Sequence, residues 1–194
     1  MSKRTIAKTI RVLTIPPILV ATLLTLIYFT RETTFRGVFD LITAILCLAV
    51  IPTLAYPLQP FIPKFKDRGR DGQRALAFIT SAAGYIIGFA YAYLSGATDE
   101  FKFIVSAYLA SVVMLLIFNK MIHLKASGHA CGVLGPLLFA VYFMGWAWAI
   151  PCTLAAIAVV WSSLKLNRHT LKELCLGGTC AMVAFVVVGM NVLG

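Results

Sequence analysis

Two of the three histidines in this chain stand beside polar residues at the ends of apolar stretches. One closes the run Lys125-Ala126-Ser127-Gly128-His129, and the other, His169, is followed four residues later by Glu173. Both settings suit phosphate chemistry, which needs a nucleophile and a proton donor. A neutral imidazole can attack phosphorus and split hydrolysis into two easier steps. Its other ring nitrogen must then be held as a proton donor by an acceptor, which fixes the tautomer. Residues four apart on a helix share a face, so Glu173 is placed to orient His169. A second imidazole with a pKa near neutrality can protonate the leaving alkoxide, a step typically worth about 10² to 10⁴ in rate. Beside His129, the Ser127 hydroxyl and the Gly128 amide can donate to phosphate oxygens, glycine allowing the backbone to come close. Lys125 adds a cation.

The elements that must position these groups are membrane helices. With 60% hydrophobic residues, 12% charged residues and a mean hydropathy of +0.91 over 194 residues, the chain has too few charges to cover a soluble globule. A spanning helix needs about 20 apolar residues, and seven stretches approach that length: roughly 12 to 30, 38 to 59, 75 to 95, 102 to 119, 131 to 147, 149 to 163 and 174 to 193. They do not alternate as barrel strands would. The expectation is an all-α polytopic bundle of about 6–7 spanning helices, one integral membrane domain over 1–194. Five cysteines, mostly inside apolar segments, read as small packing residues.

Counting crossings brings the chemistry together. Two spans separate the basic loop 64–74 from the loop 120–130, and two more lead to 164–173. An even number of crossings returns the chain to the same face, so His129, His169 and the basic loop can meet there. All but three of the 17 Lys and Arg residues fall on that side, including Lys3, Arg4, Lys8 and Arg11 of the N-terminal tail; Arg31, Arg36 and Lys102 fall on the other. The positive-inside rule makes the rich side cytoplasmic, and with it the site.

Ser127-Gly128-His129 resembles the P-S-G-H motif of the type 2 phosphatidic acid phosphatase superfamily of membrane lipid phosphatases. Ser162 through Glu173 is similar to its third motif, S-R-x5-H-x3-D. The resemblance covers roughly residues 64 to 190. It implies His169 as the nucleophile, forming a phosphohistidine, with Glu173 as its orienting acid and His129 as the proton donor. Three departures stand out: Ala126 replaces the proline, Ser163 falls on the arginine and Glu173 on the aspartate. Lys165 and Lys125, each four residues before a histidine, are candidates to restore the missing charge. The first motif, K-x6-R-P, is not literal, since Lys66 is followed seven residues later by Gln73 and then Arg74. Lys66, Arg68 and Arg74 are its candidate phosphate ligands, Arg68 and Arg74 being preferred.

A cation-lined pocket at a membrane surface suits an amphiphile whose phosphate stays in the interface. Phosphatidate, phosphatidylglycerol phosphate and polyprenyl mono- or diphosphates all qualify. Asp67 and Asp71 are embedded among cations, so no carboxylate cluster is free for a divalent ion, and a reaction without metal or other cofactor is expected. No nucleic-acid partner is indicated. A transporter or flippase of anionic lipids would also need a basic cavity, with Pro52, Pro57, Pro136 and Pro151 marking broken helices. It would not need His169 paired with Glu173. A non-catalytic membrane subunit gives no reason for Ser-Gly-His beside a span.

Overall fold

Two adjacent prolines shape the start of the chain. Pro16 lacks an N–H and forces Ile15 into an extended conformation (φ −61°, ψ 124°), so the helix Lys3–Leu13 (α1) ends and Pro16–Thr30 (α2) begins anew. The two are bent by 49°. The stretch 12 to 30, expected as one helix, therefore divides, and residues 12 to 15 go to the end of α1 and the elbow. α1 is amphipathic, opened by the Ser2 hydroxyl, which accepts from the Thr5 N–H at 3.2 Å. It packs along a helix near the C-terminus.

The computed structural model describes residues 2–194, and the rest of the chain follows the apolar stretches. Val38–Phe61 (α3), Gly69–Leu94 (α4), Asp99–Met121 (α5), Trp146–Lys165 (α7) and Leu171–Val192 (α8) are long and apolar enough to cross a membrane, and α1 with α2 counts as a sixth, broken span. Gly128–Met144 (α6) has 17 residues and rises only about 25 Å. It starts three residues before the expected stretch, at the Ser127 cap, and stops at Gly145, whose φ of +91° a side chain would resist. Among the described residues all regular structure is helical, an all-α bundle of membrane helices.

The exterior is apolar and the interior partly polar, the reverse of a soluble fold. Phe29, Leu94 and Trp146 are each more than 75% exposed, while Ser127, Ser162 and Ser163 are buried. Lipid supplies no hydrophobic drive for helix association, so close packing must hold the bundle. Phe103, Phe139 and Phe185 of α5, α6 and α8 meet with ring centroids 5.0 to 5.1 Å apart, edge-to-face or tilted. Such pairs add about 0.5–1.5 kcal/mol each beyond area burial. α8 packs against α5 and α6, α4 against α3 and α5, α2 against α6, and α1 along α7.

Polar groups collect at the two ends. At one, the Arg31 Nε–H donates to the Phe143 carbonyl at 2.7 Å, and Arg36 pairs with Asp40. At the other lie α1, the start of α4, the loop before α6 and the turn between α7 and α8.

Candidate active site

Asn119, in the last turn of α5, fixes the loop that leads to His129. Its side-chain amide donates to the Leu115 and Ala126 carbonyls (2.8 and 3.2 Å), and its oxygen accepts the Ala126 N–H at 3.2 Å. Ala126 is thereby held on both sides. The next residue, Ser127, is buried and caps α6, its hydroxyl accepting the Ala130 N–H at 3.2 Å. Gly128 and His129 are consequently the first two residues of the helix, whose opening N–H groups have no acceptor within it. They are free for an anion.

The same loop is stitched to α8. The Ser127 N–H donates to the Glu173 carbonyl at 2.8 Å. Gly177, one turn further, lies so close that a Cβ would overlap the Ser127 carbonyl. This contact carries the first histidine's segment to the second's.

His169 is not on a helix. α7 ends at Lys165, and a tight turn follows, with the Leu166 N–H on the Ser162 carbonyl and the Arg168 N–H on the Ser163 carbonyl, each at 3.0 Å. Asn167 takes φ +50°, a conformation asparagine tolerates. Thr170 then caps α8 in a capping box with Glu173. Glu173 is thus the third residue of the helix while His169 stands one residue before the cap, yet His169 Nδ1 lies 2.9 Å from Glu173 Oε2. The expected pair forms through a helix start rather than along a helix face. With Nδ1 donating to the carboxylate, Nε2 is left to act. Burial lowers the His169 pKa from its ordinary value and outweighs Glu173, which raises it.

His169 acts electrostatically on His129, and the Arg11 guanidinium acts on both. Arg74 acts on His169 and on Arg11, and Lys125 on Glu173. Three buried polar atoms here have no hydrogen-bond partner: Arg11 Nη1, His129 Nε2 and Ser163 Oγ. Sealing such donors from water without a partner costs about 1–3 kcal/mol each, more for a charged group. An anion within reach of them would supply the missing partner.

Not every expected residue is drawn in. Ser127, Gly128 and His129 are joined to Glu173 through the Ser127 N–H, and His169 to the Glu173 carboxylate. Arg74 and Lys125 are exposed and reach this group only through the field of their charges. Lys66, Arg68 and Lys165 are exposed, and none of their hydrogen bonds or ion pairs reaches the histidines among the described residues. Lys165 closes α7 and His169 follows in the turn, while Lys125 precedes α6, so the four-residue spacing puts neither lysine on one helical face with its histidine. Where the basic loop meets the site, Arg70 and Arg74 are near Arg11, four residues apart on α4, because that helix begins at Gly69. Arg11 and Asn119 were not anticipated. In the sequence Arg11 reads only as one of four tail cations, and the signal that sets it apart is the amphipathic spacing of α1. Among the described residues, no three His, Cys, Asp or Glu side chains gather as metal ligands would.

Comparison with known proteins gives no relative: no family model, no curated protein and no solved structure matches the chain.

Proposed function

We propose that this protein is a membrane lipid phosphatase, hydrolysing a phosphate monoester or diphosphate of a lipid through a phosphohistidine. His169 Nε2 attacks phosphorus, forming the N–P bond as the P–O bond to the lipid breaks. Glu173 accepts the Nδ1 proton in a hydrogen bond throughout, keeping the reactive tautomer and stabilising the positive charge that develops on the ring. Burial, with Arg11 and His169, pushes the His129 pKa down to about 4 rather than the expected near-neutral value. The ring therefore takes up its proton together with the phosphate anion and then gives it to the departing lipid oxygen. Water then attacks phosphorus, its proton passes to His129, and inorganic phosphate leaves as the N–P bond breaks. Arg11 and Arg74, with Lys125 and the Gly128 and His129 amides, hold the phosphate oxygens whose charge the transition state spreads. In this arrangement Arg11 supplies the guanidinium that Ser163 does not, which arginine's forked geometry suits better than lysine.

The observation that carries this reading is the His169–Glu173 hydrogen bond of 2.9 Å beside the unpartnered Arg11 Nη1 and His129 Nε2. The basic N-terminal tail favours a cytoplasmic site. Purified protein in detergent, with chelator present, is expected to release inorganic phosphate from phosphatidate or a prenyl phosphate. His169→Ala should lower that rate by at least about 10³-fold, as loss of a nucleophile does. Equal release by the variant, or release that requires added magnesium, would refute the mechanism.

A further inference from the structure

Beside the histidines a cleft of about 420 Å³ opens between α1, the start of α4 and the turn after α7. Its polar lining is Arg4, Lys8, Arg11, Arg70, Arg168 and Asn167. No carboxylate lines it, and none of its five cations has an ion-pair partner among the described residues. We propose that this cleft is a subsite for a second phosphate group, carried by the same lipid that presents its terminal phosphate to the histidines. The proposal rests on the phosphatase reading above and narrows it to lipids with two phosphate groups.

Charge and placement support it. A phosphate monoester carries roughly −1.5 to −2 at neutral pH, which Arg11, Arg74 and Lys125 already balance. Arg4, Lys8, Arg70 and Arg168 are in excess of that need. A bias of cations towards one membrane face explains their side but not their convergence, since solvated anchors gain by standing apart. Here three segments remote in sequence are folded against one another, and Arg168 and Arg70 both act on Arg11. Arg11 is the one cation of the five that is not exposed, so its repulsion with Arg70 and Arg168 is the least screened until an anion enters. Arg11 is the shared wall, lining the cleft while acting on both imidazoles. An anion in the cleft and a phosphorus at the histidines are therefore neighbours, as two groups of one head would be. The volume falls within the about 300–1,000 Å³ of small-ligand sites, more than a single phosphate fills.

The test compares phosphatidate with diacylglycerol diphosphate and phosphatidylglycerol phosphate of matched chains, for the full chain and for its Lys8→Gln/Arg168→Gln variant. Both side chains are exposed. The native protein should favour at least one doubly phosphorylated lipid by about tenfold or more in kcat/KM, the effect of one good charge-assisted contact. The variant should lose that preference while phosphatidate turnover changes less than about twofold. If the cleft instead serves bulk anionic lipid, the variant slows on all three substrates alike and its response to phosphatidylglycerol in the micelle disappears. That result, or an unchanged preference, overturns the subsite. Calorimetric titration with inorganic pyrophosphate and orthophosphate separates the two readings. Tighter pyrophosphate binding that the variant loses, in a protein releasing no phosphate from any lipid, upholds the subsite and refutes the phosphatase; equal binding of both ions by the native protein refutes the subsite.

Discussion

The two ends of the bundle use the same residue types to opposite purposes. At one end every cation is partnered: Arg31 on the Phe143 carbonyl, Lys102 on Asp99 at 2.9 Å, and Arg36 on Asp40 at 2.7 Å and on the Ser95 hydroxyl at 2.9 Å. Asp40 is 3% exposed and also accepts from the Tyr91 hydroxyl at 2.8 Å. Thr34 and Thr98 close the network, the Thr34 hydroxyl on Glu100 and the Thr98 hydroxyl on the Thr34 carbonyl. At the other end, only Arg74 has a carboxylate within reach among the described residues, Asp71 at 3.8 Å, and both are largely exposed. Saturated polar groups tie helices together. Unsaturated ones leave binding energy for something else where burial seals them from water, as it does Arg11 Nη1, His129 Nε2 and Ser163 Oγ.

The comparison breaks first at Glu173. Glu173→Gln should reduce phosphate release by about 100-fold or more, as loss of an orienting carboxylate does in comparable dyads. Because burial holds the His169 pKa below its ordinary value near 6.5, the ring stays neutral and reactive to lower pH, and the acid limb of kcat/KM should lie below 6.5. The sign for stability agrees. Below 6.5 the unfolded ring binds a proton that the folded ring still refuses, so His169 contributes stability above that pH and loses it as pH falls through the folded pKa. Removing the Glu173 charge removes the partner that raises the His169 pKa, and the acid limb should move lower still. A limb that stays fixed while the melting temperature drops would leave Glu173 a helix cap only.

Exchanging Arg11 and Arg36 for alanine gives the sharpest contrast. Arg11→Ala should lower kcat/KM by about 10- to 100-fold, the worth of one charged hydrogen bond, with the melting temperature unchanged or raised as repulsion eases. Arg36→Ala leaves Asp40 buried beside fewer donors and should lower the melting temperature, with kcat/KM of the folded protein intact. The same loss in both quantities for both variants would erase the distinction between the ends.

Asn119→Ala should matter less, lowering turnover about tenfold by freeing Ala126 and misplacing His129. Lys165→Gln, a solvated cation at the active end, should change kcat/KM less than about twofold. A larger effect would return Lys165 to the site.

Much of this was readable from the chain because the physics involved is local. Apolar length marks the helices, and an even number of crossings brings His129 and His169 to one end. The four-residue spacing found the His169–Glu173 pair, though for the wrong geometric reason: the Thr170 cap, not a helical face, joins them. What stayed hidden depends on where helices begin and what they touch. The start of α4 at Gly69 has no side-chain cap to announce it, so Arg70 and Arg68 could not be told apart. Asn119 holds the loop through backbone atoms of Ala126, a partner that no spacing rule singles out. Arg11 enters the site only because α1 folds back on α7, a contact between opposite ends of the sequence.

That fold-back gives the prolyl elbow at Pro16–Pro17 a meaning beyond topology. Residues 2–13 form an arm jointed to the bundle at a single stiff corner, and the arm carries one whole side of the cationic cleft. Exchanging Arg4 or Lys8 on this arm would therefore change the charge of the cleft without touching the imidazoles, whereas Arg11, which faces both, ties the arm to them.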